Sequence, residues 1–169
     1  MAKLSATANM TAQQYGDWFE GVVQTGLDQL MSAGPTFFAR LYDSRAASSF
    51  LPKQAGDFIG CHNGHGYLLE AKSSIKYESL AQPGALRALV KDHQALGAYL
   101  MGRAKGFGLF AFRSRASDWL EIWDGHKVRE IYVTPRSKLS PNDGLIVSCK
   151  CTDDAVLDNF KYIFTRTFE

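Results

Sequence analysis

Gly56-Asp57-Phe58-Ile59-Gly60-Cys61-His62-Asn63-Gly64-His65-Gly66-Tyr67-Leu68-Leu69-Glu70-Ala71-Lys72 reads as one β-hairpin. Asn63-Gly64 is the strongest signal in it, because both central residues of a tight hairpin turn must tolerate φ > 0. If the loop is these two residues, His62 pairs with His65 and Asp57 lies opposite Glu70. If the loop takes four residues, Asp57 faces Lys72 and Glu70 is diagonal to it. In either register the side-chain period of two puts Asp57, Glu70 and Lys72 on one face. Like charges directly opposed across a ladder are destabilising. A chain that keeps two carboxylates there asks for a compensating cation.

Working outward, Thr11-Ala12-Gln13-Gln14 has the form of a helix-capping box. Tyr15, Phe19, Val22, Val23, Gly26 and Leu30 continue it as a helical stripe ending near Gly34-Pro35. Residues 1 to 10, small and polar, are expected to form a disordered arm, and 11–169 a single domain. Thr36 to Leu41 reads as a strand, and Asp43 to Ala55 as a loop. Pro83-Gly84 opens a second helix running to about Gly102, with Leu86, Leu89, Val90, His93, Leu96 and Leu100 as its apolar face. Phe107 to Phe112 has the continuous apolar character of a buried strand, which Trp119 to Trp123 pairs with. Val128 to Val133 fits strand or short helix equally. Leu145 to Cys151 reads as a strand, and Thr152-Asp153-Asp154 as the cap of a final helix through Phe164. The order α-β-β-β-α-β, followed by a further strand and helix, gives an α/β domain.

The chain has 169 residues, 46% of them hydrophobic, enough for one real core. The net charge of +2 does not by itself announce a nucleic-acid partner. No apolar run reaches the roughly 18–20 residues of a membrane span, and no signal-peptide pattern opens the sequence. A cytoplasmic protein that does not engage a membrane is expected. The three cysteines, Cys61, Cys149 and Cys151, lack the spacing of a zinc site and read as reduced packing thiols.

At Gly56-Asp57-Phe58-Ile59-Gly60, Leu69-Glu70-Ala71-Lys72-Ser73-Ser74 and the helix bearing Glu20, the chain resembles the PD-(D/E)XK nuclease superfamily. With Asp92-His93-Gln94 and the strand Gly106-Phe107-Gly108-Leu109-Phe110, it looks most like the RecU-type Holliday junction resolvases and their phage relatives. The resemblance covers roughly residues 15–125. It departs from the family pattern at Ala55-Gly56-Asp57, where Pro-Asp is the named motif. The resemblance implies a restriction-endonuclease-like fold, a mixed sheet flanked by helices. It further implies a Mg²⁺-dependent endodeoxyribonuclease in which Mn²⁺ substitutes, acting on branched DNA such as a four-way junction, and a homodimer making paired nicks. The alternatives are another nuclease of the superfamily (nickase, restriction-type, repair enzyme or exonuclease) or a non-catalytic DNA-binding module.

On that resemblance the catalytic residues are Glu20, Asp57, Glu70, Lys72 and Gln94. The metal ligands are Asp57, Glu70, Glu20 and the carbonyl of Ala71. A hard cation takes oxygen ligands and activates water for phosphodiester hydrolysis. Lys72 would position or deprotonate that water or bind the phosphate. Helical periodicity independently puts Glu20 at the edge of the first helix's apolar stripe, with Asp17 as a competitor for its role. Gln94 shares a flank with Arg87 and Lys91 at i, i+4, i+7. Arg45, Lys53, Ser73, Lys76, Arg87 and Lys91 are the candidate DNA contacts, and Arg40 also brackets the hairpin. His93 reads as a core histidine, His62 and His65 as surface turn residues, and Trp119 with Trp123 as core or dimer surface.

Overall fold

The computed structural model describes residues 7–41, 54–82, 84–134 and 141–168. Helix α1 (Ala12–Ala33) leads into β1 (Thr36–Arg40), β2 (Phe58–His62) and β3 (His65–Ser74). Two helices, α2 (Ala85–Leu89) and α3 (Asp92–Arg103), carry the chain to β4 (Phe107–Ser114) and β5 (Trp119–Asp124). Then come α4 (Gly125–Val133), β6 (Leu145–Lys150) and α5 (Val156–Phe168). The strands form one six-stranded mixed sheet in sequence order. Every neighbouring pair is antiparallel except β3 and β4, which are parallel because α2 and α3 cross over between them. Helices α1 and α5 cover one face, over Phe19, Val23, Leu27, Phe58, Leu69, Phe160 and Phe164. Helices α2, α3 and α4 cover the other, over Leu86, Val90, Ala95, Phe110, Phe112, Trp123 and Val128. The expected α/β fold with its C-terminal strand and helix is what the chain forms.

The local expectations at the two best-signalled turns hold. Thr11 Oγ1 accepts from Gln14 N at 3.2 Å and Gln14 Oε1 from Thr11 N at 2.9 Å, closing the capping box of α1. Asn63 (φ 49°) and Gly64 (φ 80°) are the whole loop of the β2–β3 hairpin, and His62 pairs with His65. The two-residue register is therefore the one realised.

Several expectations change. Thr7 to Met10 is ordered rather than part of a loose arm: Thr7 is buried, and Arg115 Nη1 donates to the Thr7 and Met10 carbonyls at 2.7 and 2.9 Å. The second helix is broken, with Val90 extended (φ −101°, ψ 129°) and buried between α2 and α3. The break re-aims α3: Gln94, Ala95 and Ala98 face the core, while Leu96 and Leu100 are exposed and His93 is half-buried. A Cβ at Gly108 would overlap the Ala98 carbonyl, so α3 lies against β4 at a spacing that only glycine allows. Residues 125–133 resolve as helix, capped by Asp124 Oδ1 accepting from His126 N at 2.9 Å. Thr152 makes no side-chain cap; a 3₁₀ turn at Asp153–Ala155 precedes α5, which runs to Phe168. His62 is buried, not a surface residue, with Nδ1 2.7 Å from Thr36 Oγ1 and its ring against Tyr67 and Phe164. Trp123 is core and Trp119 partly exposed.

Candidate active site

The site forms where β2 leaves the sheet. Strand β2 pairs with β3 only as far as Phe58–Leu69, whereas β3 runs on to Ser74. Beyond Leu69 one edge of β3 has lost its neighbour, and the hydrogen-bonding groups of that edge must find other partners. Asp57 supplies one. Its backbone N donates to the Leu69 carbonyl at 3.0 Å, and its carboxylate Oδ2 accepts from Ala71 N at 2.8 Å. A strand residue projects its N–H and C=O to the same edge. The Ala71 carbonyl therefore opens onto the same gap as the Asp57 carboxylate. Gly97 of α3 packs tightly against Ala55, which sets the approach of the Gly56-Asp57 segment.

Glu70 and Lys72 project from β3 toward α3. Lys72 Nζ donates to Glu70 Oε1, and so does Gln94 Nε2 from the first turn of α3. Gln94 Oε1 in turn accepts from Lys91 N at 3.0 Å, so one side chain caps the helix and orients the carboxylate. Glu70 is 2% exposed, yet its Oε2 has no hydrogen-bond partner. Burial pushes its pKa up to about 7, against the opposing pull of the Lys72 ammonium, with the Asp57 charge adding to the rise. Asp57 is raised by burial as well, held back by the Ala71 N–H and by the charges of Lys72, Arg40 and Lys91.

Glu20 reaches the cluster from α1, on the other side of the sheet. It ion-pairs with Arg40, and burial and the Asp57 charge raise its pKa. Its own charge is felt at Glu70. The charges of carboxylates on opposite faces reach one another where β2 has ended. Asp17 is exposed and accepts from Gln13 Nε2 at 2.8 Å, which leaves Glu20 as the residue of α1 that joins the site.

The residues present fit a hard divalent cation. Asp57 and Glu70 offer carboxylate oxygens, Ala71 a carbonyl, and the orphaned Glu70 Oε2 is a buried acceptor that lacks a donor. Among the described residues, no group of three or more His, Cys, Asp or Glu side chains is placed to hold a metal ion, so the donor set is two carboxylates and a carbonyl rather than a cluster of three acids.

The candidate DNA contacts scatter more widely. Lys91 is exposed, and its charge reaches Asp57. The expected helical stripe with Arg87 is not formed, because the break at Val90 and Lys91 separates the two residues. Arg87 is exposed and lies over the Tyr132 ring at 5.6 Å. Lys76 lies over Tyr77 at 5.2 Å. Ser73 faces Gly16 of α1 rather than the Lys72 side, and Ser74 Oγ is buried, accepting from Lys76 N and Tyr77 N at 3.0 and 2.7 Å in a turn. Arg45 and Lys53 lie outside the described residues. A cavity of about 450 Å³ between β4, α4 and α5, lined by Phe107, His126 and Phe168, shares no residue with the acidic cluster.

Sequence reading understated Arg40, whose alternation along β1 from buried Phe38 places it on the α1 face beside Glu20. It missed Glu121, a buried carboxylate accepting from Trp123 Nε1 at 2.7 Å and Leu80 N at 3.3 Å, for which the sequence holds no signal beyond an acid within an apolar strand. Among the described residues no helix is long and apolar enough to cross a membrane. No protein-family model matches the chain, and none of the curated proteins compared with it matches either.

Proposed function

We propose that the chain is a metal-dependent, structure-selective DNA endonuclease, most similar in kind to a Holliday junction resolvase, acting as a cytoplasmic homodimer. The observation that carries this reading is the open edge of β3. There Asp57 and Glu70 lie with Lys72 within reach of the Glu20 charge, and one buried carboxylate oxygen of Glu70 lacks a partner. Asp57, Glu70 and the Ala71 carbonyl, with Glu20 beside them, would hold Mg²⁺ or Mn²⁺. The bound ion would supply Lewis acidity, activating water near neutral pH and offsetting charge that builds on the phosphate. Gln94 keeps the Glu70 carboxylate turned toward the site. Lys72, bonded to Glu70 and partly exposed, orients the attacking water or binds the phosphate. Asp57, Glu70, Lys72 and Gln94 read no base edges, so substrate choice would follow DNA shape, as suits a junction. Paired nicks across a four-way junction need two active sites, hence the dimer.

The test is cleavage of a mobile four-way junction with Mg²⁺. Asp57→Asn and Lys72→Ala are each expected to lower cleavage roughly 10²–10⁴-fold while junction binding persists. Undiminished cleavage by either variant overturns the nuclease reading. A panel of junction, flap, linear duplex and single strand tests the substrate, and preference for linear ends overturns the resolvase assignment alone.

A further inference from the structure

One charge at the open edge of β3 has no task in the mechanism above. Arg40, the last residue of β1, ion-pairs with Glu20. Its place is set by the backbone that carries Asp57: Arg40 pairs with Phe58, and Leu41 N donates to the Asp57 carbonyl at 2.7 Å. Each carboxylate of the cluster thus has its own resident donor. Glu20 has Arg40, Asp57 has the Ala71 N–H, and Glu70 has Lys72 and Gln94. Two side-chain cations, Arg40 and Lys72, ion-pair with these acids, and the charge of a third, Lys91, reaches Asp57. The two ion pairs differ in burial: Lys72 and Glu70 are 17% and 2% exposed, Arg40 and Glu20 38% and 26%. A solvated pair is weak and exchanges readily. The Arg40–Glu20 contact is therefore the one that a competing cation opens first.

We propose that Arg40 is the resident counter-ion of this site: it occupies Glu20 in the cation-free protein, yields Glu20 to a divalent cation, and then turns its guanidinium to the DNA phosphate. The inference rests on the nuclease reading. The planar guanidinium fork matches phosphate oxygens two at a time. Because one side chain serves both anions, cation binding and phosphate binding reinforce each other, and the reinforcement is reciprocal.

The test is calorimetric titration of the full chain with Mn²⁺ alone, with thermal melting as the check that each variant is folded. Arg40→Met is expected to bind Mn²⁺ about tenfold tighter than wild type, as for removal of a unit charge about 10 Å from a divalent ion at an effective dielectric near 20, screened over about one Debye length in 0.1 M salt. Arg40→Lys, which keeps the charge, stays near wild type, and Arg40→Gln replaces Arg40→Met should the latter not fold. In a second arm, Ca²⁺ tightens binding of a four-way junction to wild type and does so less for Arg40→Met. Unchanged or weaker Mn²⁺ binding by Arg40→Met overturns the inference alone, since an arginine that merely braced the site would loosen it when removed. Wild-type protein that binds no Mn²⁺ overturns the inference together with the nuclease reading.

Discussion

Two clusters of buried charge lie on this sheet, and they are built differently. Around Arg113 on β4, which is fully buried, the donors are satisfied. Its Nε and Nη2 reach Asp153 Oδ1 at 3.2 and 2.7 Å, Nη2 also reaches the Cys151 carbonyl at 2.9 Å, and Nη1 lies 3.9 Å from Cys151 Sγ. Tyr15 and Thr7 complete the shell of Asp153 from α1 and the N-terminal turn. At the β3 edge, by contrast, a buried Glu70 oxygen has no donor. Burial of charge is common to both. What separates the brace from the candidate site is the acceptor left unfilled, which makes the cluster costly as it stands.

The comparison breaks first at Arg113. Arg113→Ala removes the cation that ion-pairs with buried Asp153 and is expected to cost about 3–5 kcal/mol in urea unfolding, with cleavage per folded molecule retained. A loss of cleavage in excess of the unfolded fraction would erase the distinction between the two clusters.

Glu70→Gln acts in the opposite direction. A carboxyl whose folded pKa is raised to about 7 carries no penalty below its unfolded value near 4.5 and its full penalty above about 7. Without divalent cation, wild-type stability should therefore fall on this account as pH rises through that window. Glu70→Gln should exceed wild type by roughly 1–3 kcal/mol at pH 8 and converge with it at pH 4. Melting curves in a chelator across pH 4–8 check this, and a constant difference would refute it.

Adding Mg²⁺ should offset the same penalty. The wild-type melting temperature is expected to rise with Mg²⁺ at pH 8, to rise less at pH 5.5 where protons compete for Glu70, and to stay unchanged in Glu70→Gln. The smallest effect belongs to the exposed face of α3. Leu96→Ser and Leu100→Ser should each change stability by no more than about 0.5 kcal/mol, whereas a cost of several kcal/mol would return those leucines to the core.

The outline of this protein was legible where local rules are strong. Thr11 and Gln14 close a cap between neighbours, and Asn63-Gly64 specifies its turn whatever surrounds it. Period-two alternation set Glu70 and Lys72 on one face, where they do bond to each other. One uninterrupted helix from Pro83-Gly84 would put Leu96 and Leu100 on the apolar face; the break at Val90 does not. Val90 leaves the helix to fill the core beneath α2, and that small shift turns Leu96 outward and Gln94 inward. Hairpin tips are usually wet, as Asn63, Gly64 and His65 are here, but the His62 ring packs against Phe164 at the far end of the chain.

By itself, the sequence determined most of the helices and strands, the Asn63-Gly64 turn, and the shared face of Asp57, Glu70 and Lys72 in either register, since each depends on residues close along the chain. Only the tertiary structure decided that β2 stops short of β3. That early end lets the charge of Glu20 on one face reach Glu70 on the other, puts Arg40 on Glu20, and leaves one carboxylate oxygen bare. Those outcomes depend on where distant elements stop, and on backbone groups that must be satisfied once a neighbouring strand is gone.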